Sequence, residues 1–159
     1  MYSDNILKAY SLIGELTPLE RDCGELCGKA CCSADEDGQG GMLLFPGERA
    51  LCEGDWCRIE NTDAGEILTC LAPCPRDKRP LACRIFPLSP VFSKGSWTVR
   101  MDARARVMCP LVRYGVKGLN REFALAVRDA LRLIASTPEG EKLLQDWQQS
   151  EEQYRNFTL

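Results

Sequence analysis

Ten cysteines and no histidine set the range of chemistry open to this 159-residue chain. Four of the cysteines form a C-x₃-C-x₃-C-C block at Cys23, Cys27, Cys31 and Cys32, and three form a C-x₃-C-x₈-C block at Cys70, Cys74 and Cys83. Cys109 follows in the context Met108-Cys109-Pro110-Leu111, and Cys52 and Cys57 stand between the blocks. Thiolates at such spacing can converge on one soft ion, each about 2.3 Å from a zinc. Neighbouring side chains diverge, so Cys31 and Cys32 either serve different ions or one of them is a core residue. The missing histidine excludes a Ser-His-Asp triad, a Cys-His pair, a Cys₂His₂ finger and a His-Glu-x-x-His metalloprotease helix. Thiols, carboxylates, arginines and backbone must carry any chemistry. Isolated cysteines are common as small buried hydrophobes, but seven in two tight groups, with Cys109 as an eighth, favour metal ligation.

Two kinds of centre suit this donor set. Zinc suits eight thiolates as two closed four-coordinate sites, which have no open position for catalysis. A [4Fe–4S] cluster suits Cys74-Pro75 and Cys109-Pro110, which are like the Cys-Pro pair that follows ferredoxin cluster ligands. A proline there also simply fixes a turn. The balance is slightly toward zinc. Either centre with four thiolates carries a charge of −2, so two would take the formal charge from −3 to −7. Such anions need cations and N–H donors around them. Arg79, Arg84, Arg104 and Arg106 lie within a few residues of Cys83 or Cys109. Arg84 and Arg104 are the candidates to contact a cluster or a bound anion. The simpler role for Arg84 is a hydrogen bond to backbone or thiolate, and for Asp102 an ion pair with an arginine.

The charge layout agrees. Residues 1–75 hold 5 Lys+Arg and 14 Asp+Glu, residues 76–128 hold 12 and 3, and residues 129–159 hold 3 and 6. The basic stretch could bind nucleic acid, but the whole chain is acidic, and interleaved aromatics are few apart from Phe92, Trp97 and Tyr114. Facing acidic groups and thiolate centres within one fold is the preferred role for it.

The elements that must position these residues follow from periodicity. Ser3 to Leu16 reads as an amphipathic helix with Ile6, Tyr10 and Ile13 on one face, flanked by Leu7 and Leu16, and ended by Thr17-Pro18. Ser33 to Gly41 reads as an acidic, glycine-rich loop. Met42 to Phe45, Trp56 to Glu60 and Glu66 to Leu71 are short strand candidates among turns. Five prolines at 73, 75, 80, 87 and 90 forbid a long helix. Val91–Ser93 and Trp97–Met101 read as a hairpin with Trp97, Val99 and Met101 on one face. Asn120 to Ser136 is the strongest helix, capped by Asn120 and striped by Phe123, Val127, Leu131 and Ile134. Thr137 caps a last helix with Pro138 at its first position and Leu143, Leu144, Trp147 and Tyr154 along it. The expectation is an α+β single domain over 1–159. It has an N-terminal helix, a turn-rich metal-binding middle (23–110) with short strands and a hairpin, and a C-terminal region of two helices (119–156).

The C-x₃-C-x₃-C-C block, followed by Arg79-Pro80-Leu81-Ala82-Cys83-Arg84-Ile85-Phe86-Pro87, resembles the YkgJ-like cysteine-cluster family. Its members are described as zinc- or iron-chelating proteins with a CxxCxxCC block and an RPxxCRxFP block. The likeness covers residues 23 to about 110 and leaves the last ~50 residues outside. It implies eight ligand cysteines: Cys23, Cys27, Cys31, Cys32, Cys70, Cys74, Cys83 and Cys109. Cys70 and Cys74 are chosen because they closely precede Arg79-Pro80. Cys52 and Cys57 are somewhat like the family's Cys-x-Ile segment but lie more than twenty residues from that motif. The resemblance extends distantly to the flagellin lysine N-methylases, although no glycine-rich nucleotide loop follows a strand here.

The N-terminal residues 1–16 carry no basic leader followed by an apolar run, and no stretch approaches a membrane span. A cytoplasmic location with reduced thiols is therefore expected, rather than a disulfide-stapled secreted domain. The expected partners are metal ions, with an unidentified protein substrate or partner beside them; neither membrane nor nucleic acid is expected. The function expected is metal chelation through about eight thiolates. The alternative is an iron–sulfur enzyme or a protein-modifying methyltransferase.

Overall fold

The computed structural model describes residues 2–20 and 41–158, and the fold is α+β. The described residues group into two compact units, 41–84 and 2–20 with 85–158.

The smaller unit is built on a three-stranded antiparallel sheet. Its strands are β1 (Met42–Leu43), β2 (Cys57–Thr62) and β3 (Gly65–Cys70), in the order β1-β3-β2. Thr62 and Gly65 pair across the two-residue turn Asp63-Ala64, where the Ala64 N–H donates to Thr62 Oγ1 at 3.2 Å. This register puts Cys57 opposite Cys70 and Ile59 opposite Leu68. Side chains alternate along a strand, so these four share a face, which packs on Leu44, Cys52 and Trp56. Two short helices, α2 (Arg49–Cys52) and α3 (Leu81–Ile85), complete the unit around a 3₁₀ turn at Arg76–Lys78.

Glu48 ties these pieces together. It is fully buried, and its two carboxylate oxygens accept the Phe45 N–H at 2.7 Å and the Leu81 N–H at 2.6 Å. A buried backbone donor left without an acceptor costs on the order of 1–3 kcal/mol. Glu48→Ala orphans two and is expected to cost about 2–4 kcal/mol. Denaturant unfolding of the two proteins measures the loss, and hydrogen exchange at Phe45 and Leu81 should accelerate with it. Full native protection at both amides would show that this carboxylate holds nothing in place.

The larger unit holds α1 (Tyr2–Ile13), the hairpin β4 (Leu88–Ser93) and β5 (Ser96–Met101), and two long helices, α4 (Arg121–Ile134) and α5 (Pro138–Thr158). Between β5 and α4 the chain runs through three 3₁₀ segments, Ala103–Val107, Pro110–Tyr114 and Val116–Gly118. Asn120 caps α4 by accepting the Glu122 N–H at 3.1 Å, and the buried stripe is Phe123, Val127, Ala130, Leu131 and Ile134. This is the expected helix with Ala130 added. Thr137 Oγ1 accepts the Gly140 N–H at 3.1 Å, which is the expected cap of α5.

Helix α1 packs on α4 through buried Ile6, Ala9 and Ile13. Buried Asn5 donates to the Leu133 carbonyl at 3.0 Å and to Ser136 Oγ at 3.1 Å. The helix stops at Ile13, short of the expected stop at Thr17-Pro18. Gly14, at φ +52°, takes a left-handed conformation and donates its N–H to Tyr10 O at 2.8 Å, closing the helix end. Leu7 is left 51% exposed, outside the core face.

The hairpin also extends past its expected start, because Pro90 lies inside β4 opposite Val99. Ser93 and Ser96 flank the two-residue turn Lys94-Gly95, so Pro90 falls where its missing N–H would point away from β5. The next outward N–H, that of Phe92, donates to Gln148 of α5 at 2.8 Å, which covers the sheet edge. Arg132 of α4 secures the other strand, donating to the Trp97 carbonyl at 2.8 Å and to Ser96 Oγ at 2.9 Å. No helix among the described residues is long and apolar enough to cross a membrane.

Candidate metal centre

The N-terminal cysteine block, Cys23, Cys27, Cys31 and Cys32, lies outside the described residues. The rest of the proposed ligand set divides between the two units. Cys70 ends β3 and Cys74 follows it in the loop, both half-buried in the smaller unit. Cys83 is half-buried within α3. Cys109, in the larger unit, precedes the 3₁₀ segment Pro110–Tyr114, and its N–H donates to Ala105 O at 2.7 Å.

The fold gathers Cys70 and Cys74 with the two cysteines that the spacing set aside. Cys52 is fully buried beside Leu44, Trp56 and Leu68, and Cys57, Ile59, Cys70 and Cys74 pack against that cluster. Sequence distance from Arg79-Pro80 gave no sign of this. The signal lay in strand register: pairing Trp56–Glu60 with Glu66–Leu71 across a tight turn brings residue 57 opposite residue 70. The Cys57 thiol donates to the Gly54 carbonyl at 3.6 Å and to the Cys52 carbonyl at 3.8 Å. The Cys74 thiol donates to Pro75 O at 3.4 Å.

Trp56 supplies a further feature of this cluster. Its indole is 8% exposed, and its Nε1–H is buried with no hydrogen-bond acceptor among the described residues. A Cβ at Gly54 would lie 2.8 Å from Trp56 Cδ1 and Nε1, so only glycine lets the ring lie over that turn. A buried N–H donor in a cluster lined by cysteines suits thiolates, which need such donors. Soft sulfur donors likewise suit zinc or an iron–sulfur centre. Among the described residues, no three Cys, Asp or Glu side chains converge on one metal position.

The two candidate arginines have protein partners. Arg84 donates through Nε to the Arg79 carbonyl at 2.7 Å and through Nη2 to those of Asp77 and Arg76 at 3.1 and 3.2 Å. It thereby pins the 3₁₀ turn before α3. Arg104 clasps buried Asp102, with Nε 2.9 Å from Oδ1 and Nη2 2.5 Å from Oδ2. That hydrogen bond, with the Asp102 charge, holds the guanidinium above its already high ordinary value against the opposing effect of burial. Asp102 also accepts the Arg104 N–H at 2.9 Å, capping the first 3₁₀ segment. Both arginines therefore order the chain beside a cysteine.

No family model, no curated protein and no solved structure matches the chain.

Proposed function

We propose that this is a metal-chelating protein of the YkgJ-like cysteine-cluster type. It holds zinc, in preference to iron or a [4Fe–4S] cluster, through about eight thiolates. The ligands proposed are Cys23, Cys27, Cys31, Cys32, Cys70, Cys74, Cys83 and Cys109. The half-buried Cys70 and Cys74, packed on one apolar cluster with the Trp56 N–H that has no acceptor among the described residues, support the reading. Small units often gain stability from a metal, disulfides or a partner. The absence of histidine makes every proposed metal ligand a thiolate and every site anionic, which agrees with the basic stretch around Cys83 and Cys109.

Elemental analysis and an absorption spectrum of anaerobically purified protein test this. About two zinc ions per chain and a colourless solution are expected. A broad band near 400 nm lost on reduction would assign iron–sulfur instead, and a metal-free chain would remove the function altogether. Cys83→Ser should lower the metal content. Cys52→Ser should not, if Cys70 and Cys74 are the correct pair.

A further inference from the structure

We propose that Cys57 and Cys70 form a dithiol–disulfide couple, an oxidation site that shares Cys70 with the ligand set proposed above. The two residues are direct cross-strand partners in β2 and β3. The Leu71 N–H donates to Trp56 O at 2.8 Å, so residues 56 and 71 are a hydrogen-bonded pair. Pairs alternate along an antiparallel ladder, and Cys57–Cys70 is therefore a non-hydrogen-bonded pair. Such pairs bring their Cα atoms to about 4.5 Å and their side chains to the same face. That falls within the span of about 4.4–6.8 Å that a disulfide bridges without moving the backbone. Both thiols are half-buried, so a small oxidant can reach them. Cys52, on α2, and Cys74, beyond the end of β3, share the apolar cluster but have no such register with a second cysteine.

The oxidant is a peroxide. One thiol attacks it, an S–O bond forms as the O–O bond breaks, and one water leaves, giving a sulfenic acid. The second thiol attacks that sulfur, the S–S bond forms as the S–O bond breaks, and a second water carries away the remaining proton. The two thiols lose two protons and two electrons, and the hydrogen peroxide is reduced to two waters. A consequence for the metal rests on the reading above. With Cys70 a ligand and Cys57 its neighbour, the disulfide withdraws one thiolate and releases the ion.

Full-length protein treated with one equivalent of hydrogen peroxide, alkylated, digested and mass-mapped tests the site. A linked peptide pair bearing Cys57 and Cys70, lighter by two hydrogens than its parts, is expected as the main cross-link. Cys57→Ser and Cys70→Ser should each abolish it, whereas Cys52→Ser and Cys74→Ser should retain it. Cys57 and Cys70 remaining alkylatable in the wild type while other cysteines pair would overturn the proposal, and that result needs no variant to fold. A zinc-responsive dye added to zinc-loaded protein reads the consequence, with release expected from the wild type and suppressed in Cys57→Ser. Zinc that stays bound while the link forms refutes the release alone. A chain that never takes zinc refutes the metal reading and leaves the peptide map as the test of the couple.

Discussion

On the metal-chelating reading proposed above, a strong chelator is expected to unfold the cysteine-rich middle while leaving the C-terminal helices partly formed. Structural zinc supplies about 10–16 kcal/mol of apparent binding free energy, which for a small site is also folding free energy. Among the described residues of the smaller unit, the cluster that the cysteines line has Leu44, Cys52, Trp56 and Leu68 at its buried centre. Helix α4 buries five side chains and packs on α1 and β5, none of which contains a proposed ligand. Ligand spacing alone would let the loss run over residues 20–110. The packing of β5 on α4 and of β4 on α5 argues that it stops near residue 84. Amide exchange should therefore lose protection in β2 and β3 while α4 keeps most of its own. Unchanged thermal stability after complete metal removal would falsify the structural role.

Glu151→Ala is expected to destabilise the larger unit by about 3–5 kcal/mol, the range for breaking a buried ion pair. The Glu151 side chain is fully buried in α5. It accepts from Arg155 Nη2 at 2.6 Å, from the Ala103 N–H at 2.9 Å, and from Arg100. One carboxylate thus joins β5, the start of the first 3₁₀ segment and α5. Removing it leaves two guanidiniums and a backbone donor without their main acceptor; Arg155 keeps a bond to Met101 O at 2.9 Å, and Arg100 keeps a longer contact with Glu152 at 3.5 Å.

The pH dependence has a definite sign. Burial pushes the Glu151 carboxyl up, but the Arg155 hydrogen bond, the Ala103 N–H and the charges of Arg100 and Arg155 outweigh it and hold it below the ordinary range. A carboxylate depressed on folding contributes stability above its unfolded value, about 4.3, and loses it as pH falls through the folded value. The stability difference between wild type and Glu151→Gln should therefore be full at neutral pH and shrink below about pH 4. A difference that stays constant down to pH 3 would mean that the charge of Glu151 contributes nothing.

Local signals made the helices legible. Asn120 and Thr137 cap the helices that their spacing predicts, because a cap is read from one side chain and a backbone N–H two or three residues on. The stripe Phe123, Val127, Leu131 and Ile134 is buried as a 3.6-residue period requires. The end of α1 is also local, but it falls to Gly14 rather than to Thr17-Pro18, because the left-handed backbone of Gly14 stops the helix first. Strand Pro90 was harder to read, since its tolerance depends on which side of β4 faces β5.

What the sequence determined alone is the donor inventory and its sign: ten thiols, no imidazole, and a basic stretch beside the last cysteines. It also set the order of elements and the faces of the long helices, since both follow from contacts within a few residues. Only tertiary structure decided which cysteines meet. Cys57 and Cys70 are neighbours through the strand register, and Cys52 joins them because α2 folds onto the same sheet face. Tertiary structure likewise decided that Glu48 and Glu151, unremarkable acidic residues in the chain, are buried clamps. The reason is the same throughout: the partners lie from 13 to more than 30 residues away, and a hydrogen bond or thiol pair formed across such a separation leaves no periodic trace in the sequence.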